Sequence, residues 1–137
     1  MNITYIENRT YTLEELQELY SNVGWISYTE KPDKLVKAIK NSLFTIGAFE
    51  DGNLIGFIRV VGDDATILYI QDLLVKTDFQ GLGIGSTLLQ AVLGKYKHIR
   101  QIVLMTEDIE KTKAFYKKNG MVETSHYQGL AMVKYNL

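Results

Sequence analysis

The chain contains no cysteine, one proline and two histidines among its 137 residues. Without cysteine there is no disulfide, no thiol nucleophile and no cysteine-ligated zinc. Pro32 is the only proline, and no Pro- or Ser-rich stretch marks an interdomain hinge. An excess of one charge is missing too. Fifteen Lys and Arg stand against 16 Asp and Glu, for a formal net charge of −1, whereas a dedicated nucleic-acid binder shows a basic surplus. No apolar run approaches the roughly 18 residues of a transmembrane helix. Met1-Asn2-Ile3-Thr4-Tyr5 lacks the charged n-region and apolar run of a signal peptide. The expectation is one cytoplasmic domain over residues 1–137, with no metal, nucleic-acid or membrane partner. A chain of this size buries roughly two-thirds of its unfolded surface and needs no covalent staple.

What is present has a clear periodicity. Residues 2–7 read as a short strand. Thr12 with Glu15 three positions on, ahead of Leu13, Leu16, Leu19, Tyr20 and Val23, forms a capping box opening an amphipathic helix that Gly24 ends. A polar turn with Trp25 and Tyr28 follows, and Pro32 suits the first turn of a second helix. Leu43–Phe49, Leu54–Val61 and Thr66–Val75 read as an antiparallel meander joined at Asp51-Gly52 and at Gly62-Asp63-Asp64. A helix with Leu88, Leu89, Val92, Leu93 and Tyr96 on one face then leads to an apolar strand, Ile102–Met105, in the manner of a parallel crossover. Ile109–Lys118 reads as a further helix before Gly120. Val122–Thr124 and Leu130–Tyr135 read as closing strands. The fold class is mixed α/β: a mostly antiparallel central sheet with one parallel pair, flanked by about four helices.

The most informative segment is Gln80-Gly81-Leu82-Gly83-Ile84-Gly85-Ser86, between a strand and a helix. Glycines allow close approach of backbone N–H groups, and a helix N-terminus adds partial positive charge, which together suit a phosphate or pyrophosphate. A P-loop requires Gly-Lys-Ser/Thr, absent here. A dinucleotide fingerprint requires its third Gly one residue after Gly85 and an acidic residue about 20 positions on, where Gln101 stands. The alternative is that the glycines only make a tight turn.

This loop resembles the signature of the GNAT superfamily of acetyl-CoA-dependent N-acyltransferases: Gln or Arg, two residues, Gly, one residue, Gly or Ala. Gln80, Gly83 and Gly85 match it in register. Ala114-Phe115-Tyr116-Lys117-Lys118-Asn119-Gly120-Met121 is similar to the family's second motif, with Met121 in place of the usual Phe. The resemblance runs over residues 43–135 in element order. Trp25–Ser42 also resembles a group of small bacterial members and plastid acetyltransferases. It implies that acetyl-CoA is the cosubstrate and that the amides of Gly81, Leu82, Gly83, Ile84, Gly85 and Ser86 bind its pyrophosphate, with Gln80 framing the loop. It implies that the edge of Leu73, Leu74 and Val75 pairs with pantetheine, and that Tyr116 stands near the sulfur. Thr106 and Asp108 fall where many members keep an Asn that touches the cofactor, and the chain has no Asn there.

Acetyl transfer to an amine requires an amine that has lost its proton, a donor for the oxyanion, and a proton for the leaving thiolate. A backbone N–H near Val75 suits the oxyanion. Tyr116 suits the thiolate; the other reading is a core aromatic beside Phe115. Asp72, inside an apolar strand, is the candidate base or cation-holding group; the other reading is an acid satisfied by Arg59, Tyr69 or a backbone amide. His98 and His126 read as surface residues, though His126 precedes the last strand. The acceptor is a small-molecule or peptide amine, and Trp25, Tyr28, Tyr69, His126 and Tyr127 are the residues expected to flank it. The fold resemblance also allows a homodimer. The alternatives are a CoA-binding regulatory module without catalysis and a different phosphate-ligand protein.

Overall fold

Residues 2–137 are described by a computed structural model, in two compact units, Met1–Met105 and Thr106–Leu137. The first unit carries β1 (Ile3–Glu7), α1 (Leu13–Asn22), α2 (Ile26–Thr29), α3 (Pro32–Lys40), β2 (Phe44–Glu50), β3 (Asn53–Gly62), β4 (Ile67–Val75), α4 (Ile84–Lys95) and β5 (Gln101–Leu104). The strands lie in the order β1-β2-β3-β4-β5. Neighbours are antiparallel except β4 and β5, which run parallel across the α4 crossover.

Local chemistry accounts for most of these elements. At the head of α1 the Thr12 hydroxyl accepts from the Glu15 amide at 3.2 Å, and the Glu15 carboxylate accepts from the Thr12 amide at 2.7 Å, the reciprocal capping box. Pro32 opens α3. Asp51 and Gly52 both take positive φ, 49° and 81°, the twist that a two-residue hairpin needs. Every residue of β3 from Leu54 to Val60 is buried, because helices cover both faces of this central strand. On one face Leu16, Leu19, Tyr20 and Leu35 cluster with Phe49, Leu54, Phe57 and Leu74. On the other, α4 lies close: a Cβ added at Gly56 would meet Ile84 Cγ2 at 3.1 Å and Leu88 Cδ1 at 3.4 Å.

One irregularity decides where the polar residues go. Arg59 pairs with Asp72 and Val60 with Ile70, so Gln71 has no partner on β3. An extra residue in one strand reverses the face that later side chains occupy. Leu68 and Ile70 therefore share the α4 face with Gly62 and Val60. Asp72 and Leu74 join Arg59 and Phe57 on the face covered by α1.

Two expectations are corrected. Trp25–Tyr28 is not a simple polar turn: Ile26–Thr29 makes one helical turn, closed by Glu30 N donating to Ile26 O at 3.0 Å and anchored by Trp25 N on Tyr20 O at 2.9 Å. Tertiary anchoring overrides the weak propensity of this β-branched segment. The closing strands are absent: in the second unit, α5 (Glu110–Lys118) is followed by a 3-10 turn, Thr124–Tyr127, and among the described residues no strand follows β5. The alternation of Leu130–Tyr135 defines two faces, but a strand exists only through a ladder partner, and Leu130 and Met132 are 84% and 88% exposed.

Candidate active site

β4 and β5 are paired from Ile67 with Gln101 to Ile70 with Leu104. Beyond that point β4 continues to Val75, still paired with β3 through Val75 and Gly56, while its β5 side has no strand partner among the described residues. Leu73, Leu74 and Val75 lie on this open edge, which offers main-chain groups to an extended ligand.

The edge runs into the glycine loop. Lys76 N donates to Ile55 O at 2.8 Å, and the Gln80 side-chain amide donates to Val75 O at 3.0 Å, bracing the loop to the strand end. From α1, Asn22 Oδ1 accepts from Thr77 N at 2.9 Å and Glu18 pairs with Lys76. Gly81 and Gly83 take φ of 81° and 83°, with nothing within 4 Å of an added Cβ. Their need is conformational, since L side chains are strained in this region. Gly83 caps α4 without a side chain, and the first turn has no acidic residue. The first helical bond is Thr87 N to Gly83 O at 3.0 Å. The amides of Ile84 and Gly85 thus belong to the first turn of the helix, where the dipole favours an anion. Gly83→Ala is expected to lower unfolding stability by about 1–2 kcal/mol, the strain of one left-handed residue, read from urea melts; an unchanged midpoint would show that the loop relaxes out of this conformation.

Behind the open edge lies a buried polar cluster. Asp72 is 1% exposed and Arg59 6%. Asp72 Oδ2 accepts from Arg59 Nε at 2.7 Å and from the Tyr20 hydroxyl at 2.8 Å, and Oδ1 accepts from the Tyr28 hydroxyl at 3.1 Å. Gln71 Nε2 donates to the Tyr28 oxygen at 3.1 Å. Burial alone would lower the Arg59 pKa, but the Asp72 carboxylate outweighs it and holds the guanidinium above its usual value. Burial and then the Asp72 charge raise Tyr20 well above the ordinary phenol range, and Tyr28 in the same direction. Asp72 therefore has the Arg59 partner named among its alternatives in the sequence. The Tyr20 and Trp25 rings lie 6.0 Å apart, Tyr20 and Tyr28 5.1 Å, and Trp25 and Tyr28 6.1 Å. Tyr69, half-buried, pairs with Val61 and shares the α1 face. Arg59, Tyr20 and Gln71 were not among the expected site residues. The usable signals were an arginine inside an apolar strand and a tyrosine on an apolar helix face.

The second unit carries the remaining candidates. Burial raises the Tyr116 pKa above 10.0, and a hydrogen bond with the Thr106 side chain opposes this. Asp108 is exposed and pairs with Lys113 at 2.6 Å. His126 lines a depression of about 400 Å³ with Lys117, Gly120, Met121, Val122, Glu123 and Ser125. Tyr127 is 75% exposed and stacks edge-on against His126 at 4.8 Å. His98, in the first unit, pairs with Asp64 at 2.8 Å on the surface. Among the described residues no helix is long and apolar enough to cross a membrane.

The profile of the Acetyltransferase (GNAT) family matches residues 6–121. The chain is 34% identical over 123 residues to an N-acetyltransferase of Pyropia yezoensis named ycf52, covering 85% of this chain and 68% of the relative. A ycf52 protein of Gracilaria tenuistipitata var. liui is 33% identical over 129 residues, covering 89% and 68%. Among solved structures, a GNAT family acetyltransferase of Streptococcus pneumoniae TIGR4 superposes with a TM-score of 0.88 at 34% identity, covering 98% of both chains.

Proposed function

Since the chain belongs to the GNAT acetyltransferase family, we propose that it moves an acetyl group directly from acetyl-CoA to a primary amine. The observation that carries this reading is the junction of two features: a strand edge left open where β4 parts from β5, running straight into a loop with two left-handed glycines and an uncapped helix N-terminus. That junction fits acetyl-CoA. The edge of Leu73, Leu74 and Val75 suits an extended amide-bearing arm such as pantetheine. Gly81 to Ser86, with Gln80 as brace, suit a pyrophosphate.

The other roles follow from the chemistry. An amide N–H at the Val75 end of the edge stabilises the oxyanion. Tyr116 is assigned to the leaving thiolate through its place in the family's second motif. Thr106 and Asp108 are proposed as cofactor contacts. The acceptor is a small-molecule or peptide amine, with Trp25, Tyr28, Tyr69, His126 and Tyr127 proposed on its side. The chain has no cysteine, so no acyl-cysteine forms, and the acetyl group is proposed to pass directly between two substrates bound together. Asp72 is proposed as a positioning residue, because its oxygens are already committed to Arg59, Tyr20 and Tyr28.

The test joins calorimetry with acetyl-CoA to a thiol-release assay over a panel of aryl-alkyl amines, polyamines, aminoglycosides and peptide N-termini. Binding of acetyl-CoA with amine-dependent thiol release supports the proposal. Tight binding with no release for any amine would replace it with a CoA-binding module of the same fold.

A further inference from the structure

Acetyl-CoA, as proposed, lies along one element and ends on another. Its arm uses the β4 edge, which closes at Val75, and its pyrophosphate uses the loop that opens at Gly81. Residues 76–80 join the two. They form a 3-10 turn, Thr77–Phe79, closed by Phe79 N on Lys76 O at 2.9 Å and Gln80 N on Thr77 O at 3.3 Å. Those bonds shape the turn but do not aim it. Aim matters, because the glycines beyond have the backbone freedom to follow wherever the turn points.

The turn is aimed from two layers. From the sheet, Ile55 O accepts from Lys76 N at 2.8 Å. From the helix α1, Asn22 Oδ1 accepts from Thr77 N at 2.9 Å, across 55 residues of chain. These two amides are consecutive, so the start of the turn is pinned to both layers at once. Asn22 is the last residue of α1. Glu18, one helical turn earlier on the same face, pairs with Lys76. The Glu18 side chain is 70% exposed, and a pair of that kind contributes little. The bond from Asn22 to a backbone N–H fixes position instead. An amide suits this place: the last turn of α1 has no basic residue, and a carboxylate there would oppose the negative end of the helix dipole.

We infer that Asn22 is a positioning residue for acetyl-CoA, holding the turn so that the β4 edge and the glycine loop meet the cofactor in one fixed geometry, a role that rests on the proposed use of acetyl-CoA. Asn22 acts through Thr77 and does not touch the cofactor. A ligand that must engage two elements binds more tightly when their relative placement is set beforehand.

Thr77→Pro tests this directly, because it removes the N–H that Asn22 accepts and keeps the turn. Proline suits the first position of a helical turn, and Lys76 already has the extended ψ, 142°, that precedes proline. Asn22 and Thr77 are both exposed, so their variants retain the fold. Acetyl-CoA is titrated calorimetrically into wild type, Asn22→Ala, Thr77→Pro and the double variant. Asn22→Ala is expected to weaken binding by about fivefold, the worth of one hydrogen bond. In the Thr77→Pro background the same change is expected to have no further effect, since the bond is already gone and proline fixes the turn. In the ligand-free protein, solvent exchange of the Thr77, Gly81 and Gly83 amides, followed by NMR, is expected to be faster in Asn22→Ala. Unchanged affinity in Asn22→Ala, or an equal loss in both backgrounds, overturns the role of Asn22; the second outcome makes it a helix-end residue only. If wild type fails to bind acetyl-CoA, the proposed transfer falls, and exchange at Gly81 and Gly83 decides the tether alone: faster exchange in Asn22→Ala supports it and unchanged exchange overturns it.

Discussion

Asp72→Ala is expected to destabilise the protein by about 3–5 kcal/mol, the range for breaking a buried ion pair by removing one partner. The reason is what stays behind. Arg59 is 6% exposed, and without the carboxylate it retains Ala38 O at 3.5 Å and Ser42 Oγ at 3.4 Å, both long contacts. The Tyr20 hydroxyl, wholly buried, loses its acceptor as well. A loss of that size lowers the melting temperature by on the order of 10 °C in a domain of this length. Replacing both charges, as Arg59→Met with Asp72→Leu, is expected to cost clearly less than the sum of the single changes, because neither charge is then stranded. Urea and thermal melts of the four proteins close this cycle. A single-variant loss under about 1 kcal/mol would mean the guanidinium finds water, as surface pairs do.

The same cluster shows what local sequence carries and what it does not. The Thr12–Glu15 capping box, the Asp51-Gly52 hairpin and the glycine loop depend on neighbours within a few residues. Each could be read directly, and each positions a part of the site. The companions of Asp72 lie 13, 44 and 52 residues away in the chain. Periodicity places a residue on a face; it does not say which helix supplies a phenol to that face. The one-residue irregularity at Gln71 was equally hidden, since Leu68, Ile70, Asp72 and Leu74 alternate as one uninterrupted buried row. Only the register shows that the row changes face between Ile70 and Asp72. The closing strands failed for the converse reason: alternation was present and a partner was not. The short α2 turn depends on an anchor from Tyr20 that its own residues do not encode.

Tyr116→Phe is expected to lower turnover by about a hundredfold near neutral pH, within the range for general acid catalysis, with acetyl-CoA affinity unchanged within about twofold. The variant keeps the ring and removes only the hydroxyl, so packing beside Phe115 at 5.0 Å is retained. Its pH dependence separates an acid from a structural ring. Burial raises the Tyr116 pKa above 10.0, so the phenol keeps its proton through neutral and mildly alkaline pH and loses it only as pH rises past that raised value. In the wild type, this group therefore contributes no fall in rate between about pH 7 and 9. The leaving group behaves differently. A thiol has a pKa of about 8.5, so the departing thiolate needs a proton donor most below that pH and progressively less above it. The ratio of wild-type to variant turnover should then be largest near pH 7 and shrink toward pH 9.5. Any limb from acceptor deprotonation is common to both proteins and cancels in the ratio. A defect that stays constant across this range would assign the hydroxyl to positioning, and an unchanged rate at pH 7 would remove Tyr116 from the chemistry.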